Sequence, residues 1–175
     1  MKKMESWEIR LDKVQFGSWM KERRIVKLSF DGASKGNPQM AGGGGDIINC
    51  EGEIEMEYFW NIGNDSNNMV EAYGIWQGIK QLEKKGVEEA IVFGDSQIII
   101  HAMNEVNQSR NLRLDRLIKR IKSVSKTFRR LEFFHVLQEL NDLADHAANK
   151  AIGLSKNELS TPISLNLELY KGSRI

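Results

Sequence analysis

Three carboxylates in this chain stand where short elements begin or end. Asp31 closes the apolar run Ile25, Val26, Leu28, Phe30, and Asp95 follows Ala90-Ile91-Val92-Phe93-Gly94. Glu71 stands early in a stretch whose apolar residues Met69, Ala72, Tyr73, Trp76, Ile79 and Leu82 recur at helical spacing. Brought together, these acids would repel one another strongly unless a cation lay among them. Such a cluster either raises one of its own pKa values or binds metal. Oxygen ligands with no His or Cys among them suit a hard cation, Mg²⁺ or Mn²⁺. Two such ions about 4 Å apart are a device for phosphodiester hydrolysis. A fourth acid on the last helix, Asp142 or Asp145, would complete the site.

The apolar pattern predicts the frame that must carry these acids. A first strand covers residues 24–31 and then turns tightly; Gly32, Gly36, Asn37-Pro38 and the run Gly42 to Gly45 let backbone approach a bulky partner closely. A second strand covers 44–49. A third covers 54–60, where Ile54, Met56, Tyr58 and Trp60 alternate against Glu55 and Glu57. These three form an antiparallel meander. The stretch 64–68 caps a helix that ends near Lys85, before Gly86. The wholly apolar run 90–93 reads as an interior strand. A crossover helix between strands implies parallel pairing and hence a mixed sheet. With strands one and four side by side, the ends bearing Asp31 and Asp95 meet.

A second helix starts beyond Asp95, and a third covers 111–128. The third has an apolar stripe, and its other faces carry Arg113, Arg116, Lys119, Arg120, Lys122 and Lys126 against one acid, Asp115. A fifth strand covers 131–136, and a last helix, kept slim by alanines, covers 141–152. Residues 1–23 read as an extension in which Trp7, Ile9 and Leu11 alternate as in a short strand. Residues 154–175 read as a tail whose Ile163, Leu165, Leu167 and Leu169 alternate. The domain between them is 24–153.

At 175 residues and 41% apolar, the chain is one globular domain with some length to spare. A single cysteine, Cys50, excludes an internal disulfide framework and fits a reducing compartment. No apolar run approaches the roughly 18 residues of a membrane span, and the first residues lack the apolar core of a signal peptide. The expected setting is intracellular, cytoplasm or nucleus, without a membrane. The net charge of +1 means that any nucleic-acid surface is local.

Four blocks resemble, in order, the signature blocks of type 1 ribonuclease H. They are Asp31-Gly-Ala-Ser-Lys-Gly-Asn-Pro, Ser66-Asn-Asn-Met-Val-Glu71, Gly94-Asp95-Ser-Gln97 and Asn141-Asp-Leu-Ala-Asp145. The resemblance covers roughly residues 24–153. In detail it is most like the ribonuclease H domains of plant retrotransposon reverse transcriptases and their plant relatives. It implies an α/β ribonuclease H-like fold: a five-stranded mixed sheet, strands one to three antiparallel, with helices on both faces. It implies that Asp31, Glu71, Asp95 and Asp145 ligate Mg²⁺ or Mn²⁺ and cut the RNA strand of an RNA–DNA hybrid. Asn37, Asn67, Asn68 and Gln97 would read the minor groove, because side-chain amides both donate and accept, as 2′-hydroxyls do.

The chain also departs from the family pattern. Gln39 replaces the usual glycine after Asn37-Pro38, and the basic protrusion of some bacterial members is absent. His135 stands ten residues before Asp145, the spacing of a loop histidine that some members use in proton transfer; here it follows Leu131-Glu-Phe-Phe, as at a strand end. The expected protein is a monomeric endonuclease. The alternatives are a hybrid-binding module that does not cut and a DNA-acting nuclease of the same fold.

Overall fold

The computed structural model describes residues 8–35, 40–105 and 111–162. Asn37, Gln39 and the alternating tail residues from Ile163 onward lie outside them, as does Trp7. In chain order the elements are β1 (Glu8–Ile9), α1 (Lys13–Glu22), β2 (Val26–Lys35), β3 (Met40–Ile48), β4 (Ile54–Gly63), α2 (Asn67–Lys84), β5 (Glu89–Gly94), α3 (Gln97–Asn104), α4 (Leu112–Ser125), β6 (Arg130–Val136), α5 (Asp142–Ala151) and β7 (Leu159–Ser160). One sheet runs in the order β1-β6-β5-β2-β3-β4-β7.

The meander β2-β3-β4 is antiparallel, and β5 and β6 pair parallel, as the crossover pattern requires. Among the described residues the sheet nevertheless has seven strands rather than five, because a two-residue strand extends each edge. β1 pairs parallel with β6, and β7 pairs antiparallel with β4. So residues 8–9 and 159–160 belong to the sheet although they stand in the segments expected to flank the domain.

Residues 13–22 form a helix where the sequence pattern was too weak to predict one. Asp12 and Gln15 build a capping box: Gln15 N donates to Asp12 Oδ1 at 2.8 Å, and Asp12 N donates to Gln15 Oε1 at 3.1 Å. The helix is short and buries essentially Phe16, which stacks on Trp19 and meets Phe93 edge-on. One apolar residue and one aromatic neighbour do not make a period.

The second strand of the meander starts at Met40 rather than at the expected 44, so Gly42 and Gly43 are strand as well. Gly42 to Gly45 pair with Ala33 to Phe30 of β2. Successive strand residues face opposite sides, and glycines let helices settle close on both. On one side, a Cβ at Gly43 would lie 3.0 Å from Gly74 of α2. On the other, a Cβ at Gly44 would lie 2.8 Å from the α5 backbone at Ala147 and Ala148. The core divides accordingly. Leu28, Phe30, Ile47, Tyr58, Val92 and Phe133 pack under α2, α3 and α4. Ile48, Ile91, Phe93, Phe134 and Val136 pack under α1. Glu57, on the face opposite Ile54, Met56, Tyr58 and Trp60, is buried opposite Asp46 and accepts a hydrogen bond from Lys150 Nζ of α5 at 2.9 Å.

Candidate active site

The acids meet where β2 outruns its neighbour. The last β2–β5 pair is Phe30 with Gly94, yet β2 continues to Lys35. Past that point the β5-side edge of β2 is uncovered at the carboxyl ends of both strands. In sheets of this kind, a change of strand direction beside such ends forms a crevice. Asp31 is the first β2 residue past the pairing, and Asp95 follows the last residue of β5. α2 brings Glu71 from one face and α5 brings Asp145 from the other.

Carboxylate oxygens of Asp31, Glu71 and Asp95 lie within 4.8 Å of one another. Asp31 is buried, with 4% of its surface exposed; Glu71 and Asp95 are half-buried. Gly32 N donates to Asp31 Oδ1 at 2.8 Å and to Glu71 Oε2 at 2.9 Å. The other Glu71 oxygen, Oε1, is buried without a hydrogen-bond partner in the described structure. Burial, then the charge of Asp95 and that of Asp145, push Asp31 up to about 7. Burial and the charge of Asp31 raise Glu71 well above the ordinary range, and burial with the charge of Asp145 raises Asp95. Crowded, dehydrated carboxylates with an unsatisfied oxygen fit a divalent cation: its charge removes the repulsion, and its open coordination takes the spare lone pairs.

Asp145 rather than Asp142 stands toward the three clustered acids. The Asp145 charge acts on both Asp31 and Asp95. Asp142 is exposed and pairs with Lys13 of α1 at 3.4 Å. Two asparagines, whose roles the sequence left unassigned, set Asp145 in place. Asn141, buried at the start of α5, donates from Nδ2 to the Phe30 carbonyl at 2.9 Å and so ties that helix to β2 beside Asp31. Asn149, one turn on, donates to the Asp145 carbonyl at 2.8 Å and lies 3.3 Å from its Oδ1. Only the Asn-x-x-Ala-Asp block hinted at Asn141.

Of the expected substrate-reading amides, Asn67 and Gln97 are exposed and Asn68 is half-buried. None caps its helix. Ser66 Oγ accepts Met69 N for α2, and Ser96 Oγ accepts Ile99 N for α3. Asn67 lines a cleft of about 330 Å³ with Gly32, Ser34, Val70 and Glu71. Asn37 falls outside the described residues. His135 is not in a loop. It is buried in β6, paired in register with Gly94 of β5, and its charge lowers the Asp95 pKa. His101 is half-buried and His146 exposed, both on helices.

A family model described as reverse transcriptase-like matches residues 29–151. The chain belongs to the reverse transcriptase-like family. A putative ribonuclease H protein of Arabidopsis thaliana is 32% identical over 130 residues, 74% of this chain. This chain spans only 21% of the length of that relative. RNase H1 of the archaeon Halobacterium salinarum superimposes with a TM-score of 0.69 at 28% identity, over 74% of this chain and 98% of that one. LC11-RNase H1 in complex with an RNA/DNA hybrid superimposes with a TM-score of 0.67 at 27% identity, over 73% of this chain and 96% of that one. The reverse transcriptase-like chain described here has the ribonuclease H fold. No helix among the described residues is long and apolar enough to cross a membrane.

Proposed function

We propose that this chain is a ribonuclease H: an endonuclease that hydrolyses the RNA strand of an RNA–DNA hybrid. The observation that carries the reading is the gathering of Asp31, Glu71 and Asp95 within 4.8 Å, beside a cleft lined by Asn67. The likeness to a ribonuclease H1 whose structure contains an RNA/DNA hybrid supports the substrate. Asp31, Glu71, Asp95 and Asp145 would hold Mg²⁺ or Mn²⁺ ions. When bound, such ions supply an activated water and offset the charge that develops on the leaving 3′ oxygen.

The protein residues divide the remaining work. The Gly32 amide holds Asp31 and Glu71 side by side, so the ligands are placed before substrate arrives. Asn141 and Asn149 fix Asp145. Ser66 and Ser96 take over capping, which leaves Asn67, Asn68 and Gln97 to contact sugar edges. An amide matches a 2′-hydroxyl in both donor and acceptor roles, and that distinguishes the RNA strand from DNA. Asn37 joins this set by resemblance. Residues 24–153 form the nuclease core of this reading, with β1, α1 and β7 laid against it. A hybrid-binding module that does not cut has no use for four acids that repel phosphate.

The test is cleavage of labelled RNA–DNA, RNA–RNA and DNA–DNA duplexes with Mg²⁺ and with chelator, by the parent and by Asp95→Asn. Only the hybrid should be cut, only with metal. Asp95→Asn should lose about 10³-fold or more of the rate while still binding hybrid, because metal charge stabilisation is worth several kcal/mol. Cutting in chelator, or near-parent activity of Asp95→Asn, would remove the metal-nuclease reading.

A further inference from the structure

We propose that Arg113 of α4 is a positioning residue whose bidentate ion pair with Asp65 holds the turn that presents Asn67 to the cleft. The inference deepens the nuclease reading and rests on Asn67 contacting the hybrid.

Arg113 differs from Arg116, Lys119 and Arg120 of its helix. Arg116, Lys119 and Arg120 are exposed, and Lys119 pairs with Asp115 on the same helix at 3.0 Å. Arg113 reaches off the helix instead. Its Nη1 donates to Asp65 Oδ1 at 2.8 Å and its Nη2 to Asp65 Oδ2 at 2.6 Å. This fork-to-fork geometry restricts orientation as well as distance, which an ammonium does not.

Both ends of the pair are anchored. Asn111 Oδ1 accepts Arg113 N at 3.0 Å and Leu114 N at 3.1 Å, so the helix start is capped where Arg113 leaves it. Leu114, Leu117 and Ile118 sink the same helix into the core that α2 shares. At the other end, the Asp65 side chain is only 8% exposed, and its Oδ1 also accepts Ser66 N at 2.8 Å. Ser66 caps α2, and Asn67 is the first residue of that helix and lines the cleft with Glu71. A chain of contacts thus runs from α4 through Arg113, Asp65 and Ser66 to Asn67.

Arg113 is itself 62% exposed, and exposed ion pairs add little to global stability. The function of the pair is therefore local. Without Arg113, the Asp65 carboxylate loses its bidentate partner and keeps the Ser66 amide, so the turn is no longer tied to α4. A small displacement of a contact residue weakens substrate binding more than it weakens folding.

Arg113→Gln, Asp65→Asn, their combination and Arg113→Lys distinguish positioning from phosphate contact. If Arg113 positions the turn, Arg113→Gln and Asp65→Asn each raise KM for a hybrid about tenfold, with kcat within twofold and an unchanged salt slope. The double variant is then no worse than the worse single variant, and Arg113→Lys recovers only part of the loss. If Arg113 instead binds phosphate, Arg113→Gln flattens the salt slope and Asp65→Asn leaves KM unchanged or lowers it; that outcome overturns the proposal, as do unchanged KM values in both single variants. Hydrogen exchange in substrate-free protein supplies a readout without nuclease activity. The amides of Ser66 to Met69 should exchange faster in both single variants, while those of β2 and α5 stay as in the parent. If the parent cuts no hybrid, the nuclease reading fails, and the exchange data alone decide whether the pair holds the turn.

Discussion

Asp31 and Glu71, forty residues apart in the chain, accept hydrogen bonds from the same backbone amide, that of Gly32, at 2.8 and 2.9 Å. Two carboxylates brought this close need α2 to lie hard against β2, and Gly74 allows it. A Cβ at Gly74 would stand 2.6 Å from the Asp31 carbonyl oxygen, which is backbone and cannot swing aside.

Gly74→Ala should therefore push α2 away from β2 and carry Glu71 with it. Overpacking of this kind costs about 1–3 kcal/mol. For a chain of this length that lowers Tm by roughly 3–10 °C. The same variant should bind Mg²⁺ more weakly, because the ligand spacing opens. Thermal melts with and without Mg²⁺ read both effects. An unchanged Tm together with unchanged Mg²⁺ affinity would show that the helix spacing is not set at Gly74.

The raised pKa of Asp31 links metal binding to pH. Its folded value, about 7, lies above the ordinary 3.8, chiefly through burial and then the charge of Asp95. Between those values the folded protein keeps a proton that the unfolded chain has released. This group's contribution therefore falls as pH rises through the window, and at pH 8 Asp31 is charged beside its acidic neighbours. Glu71 and Asp95 are shifted the same way. A divalent ion must displace the Asp31 proton below pH 7 but not above it. The rise in Tm on adding Mg²⁺ should be small at pH 5.5 and grow toward pH 8. Asp31→Asn should be more stable than the parent in chelator at pH 8, with the gap closing toward pH 4. A Mg²⁺ shift independent of pH would contradict the link.

His135→Ala separates packing from proton transfer. The residue is buried in β6, in register with Gly94 on one side and Glu8 of β1 on the other. A buried strand position flanked by strands on both sides offers a histidine little of the freedom that a shuttling loop residue uses. Turnover should fall by less than about tenfold, whereas losing a general acid or base costs about 10²–10⁴. A loss in the larger range, with an unchanged melting curve, would put His135 in the chemistry.

The parts of this fold that could be read in advance were those with strong periods or paired signals. Asp31 and Asp95 were placed by two apolar runs that each end in an acid, and β2 does lie beside β5. The glycine run signalled close approach of a partner but not where the strand starts, because Gly is permissive in turns and equally useful in a strand pressed from both sides, as here by α2 and α5. Alternation put Glu57 on the face opposite the apolar residues but says nothing of whether a helix covers that face, as α5 does here with Lys150. The short helix α1 was missed because its burial rests on Phe16 alone. Asp65 and Arg113 were each noted for another role, capping and basic charge, and their pairing across 48 positions has no sequence signal.

The basic helix α4 sets the last prediction. With Arg113 held by Asp65 and the Lys122 ammonium on the Glu105 carbonyl, the exposed cations left for phosphate include Arg116, Lys119 and Arg120. Lys119 also touches Asp115, but an exposed pair within one helix is weak and opens easily toward a polyanion. The stripe Leu114, Leu117, Ile118 and Ile121 is buried, which fixes the opposite face as the one turned to solvent. The chain carries a net charge of only +1, so such a local stripe should dominate binding to a polyanion. Each cation that contacts phosphate releases condensed counterions and adds about 0.9 to the slope of log affinity against log salt. Replacing Arg116, Lys119 and Arg120 together with Gln should weaken hybrid binding about equally for all sequences and reduce that slope by about 2–3. The rate at saturating hybrid should stay near the parent value, because none of the three lies among the converging acids. An unchanged slope would make this face merely solvated, and the phosphate contacts would have to lie elsewhere, with the Arg23 and Arg24 pair at the start of β2 next to be tested.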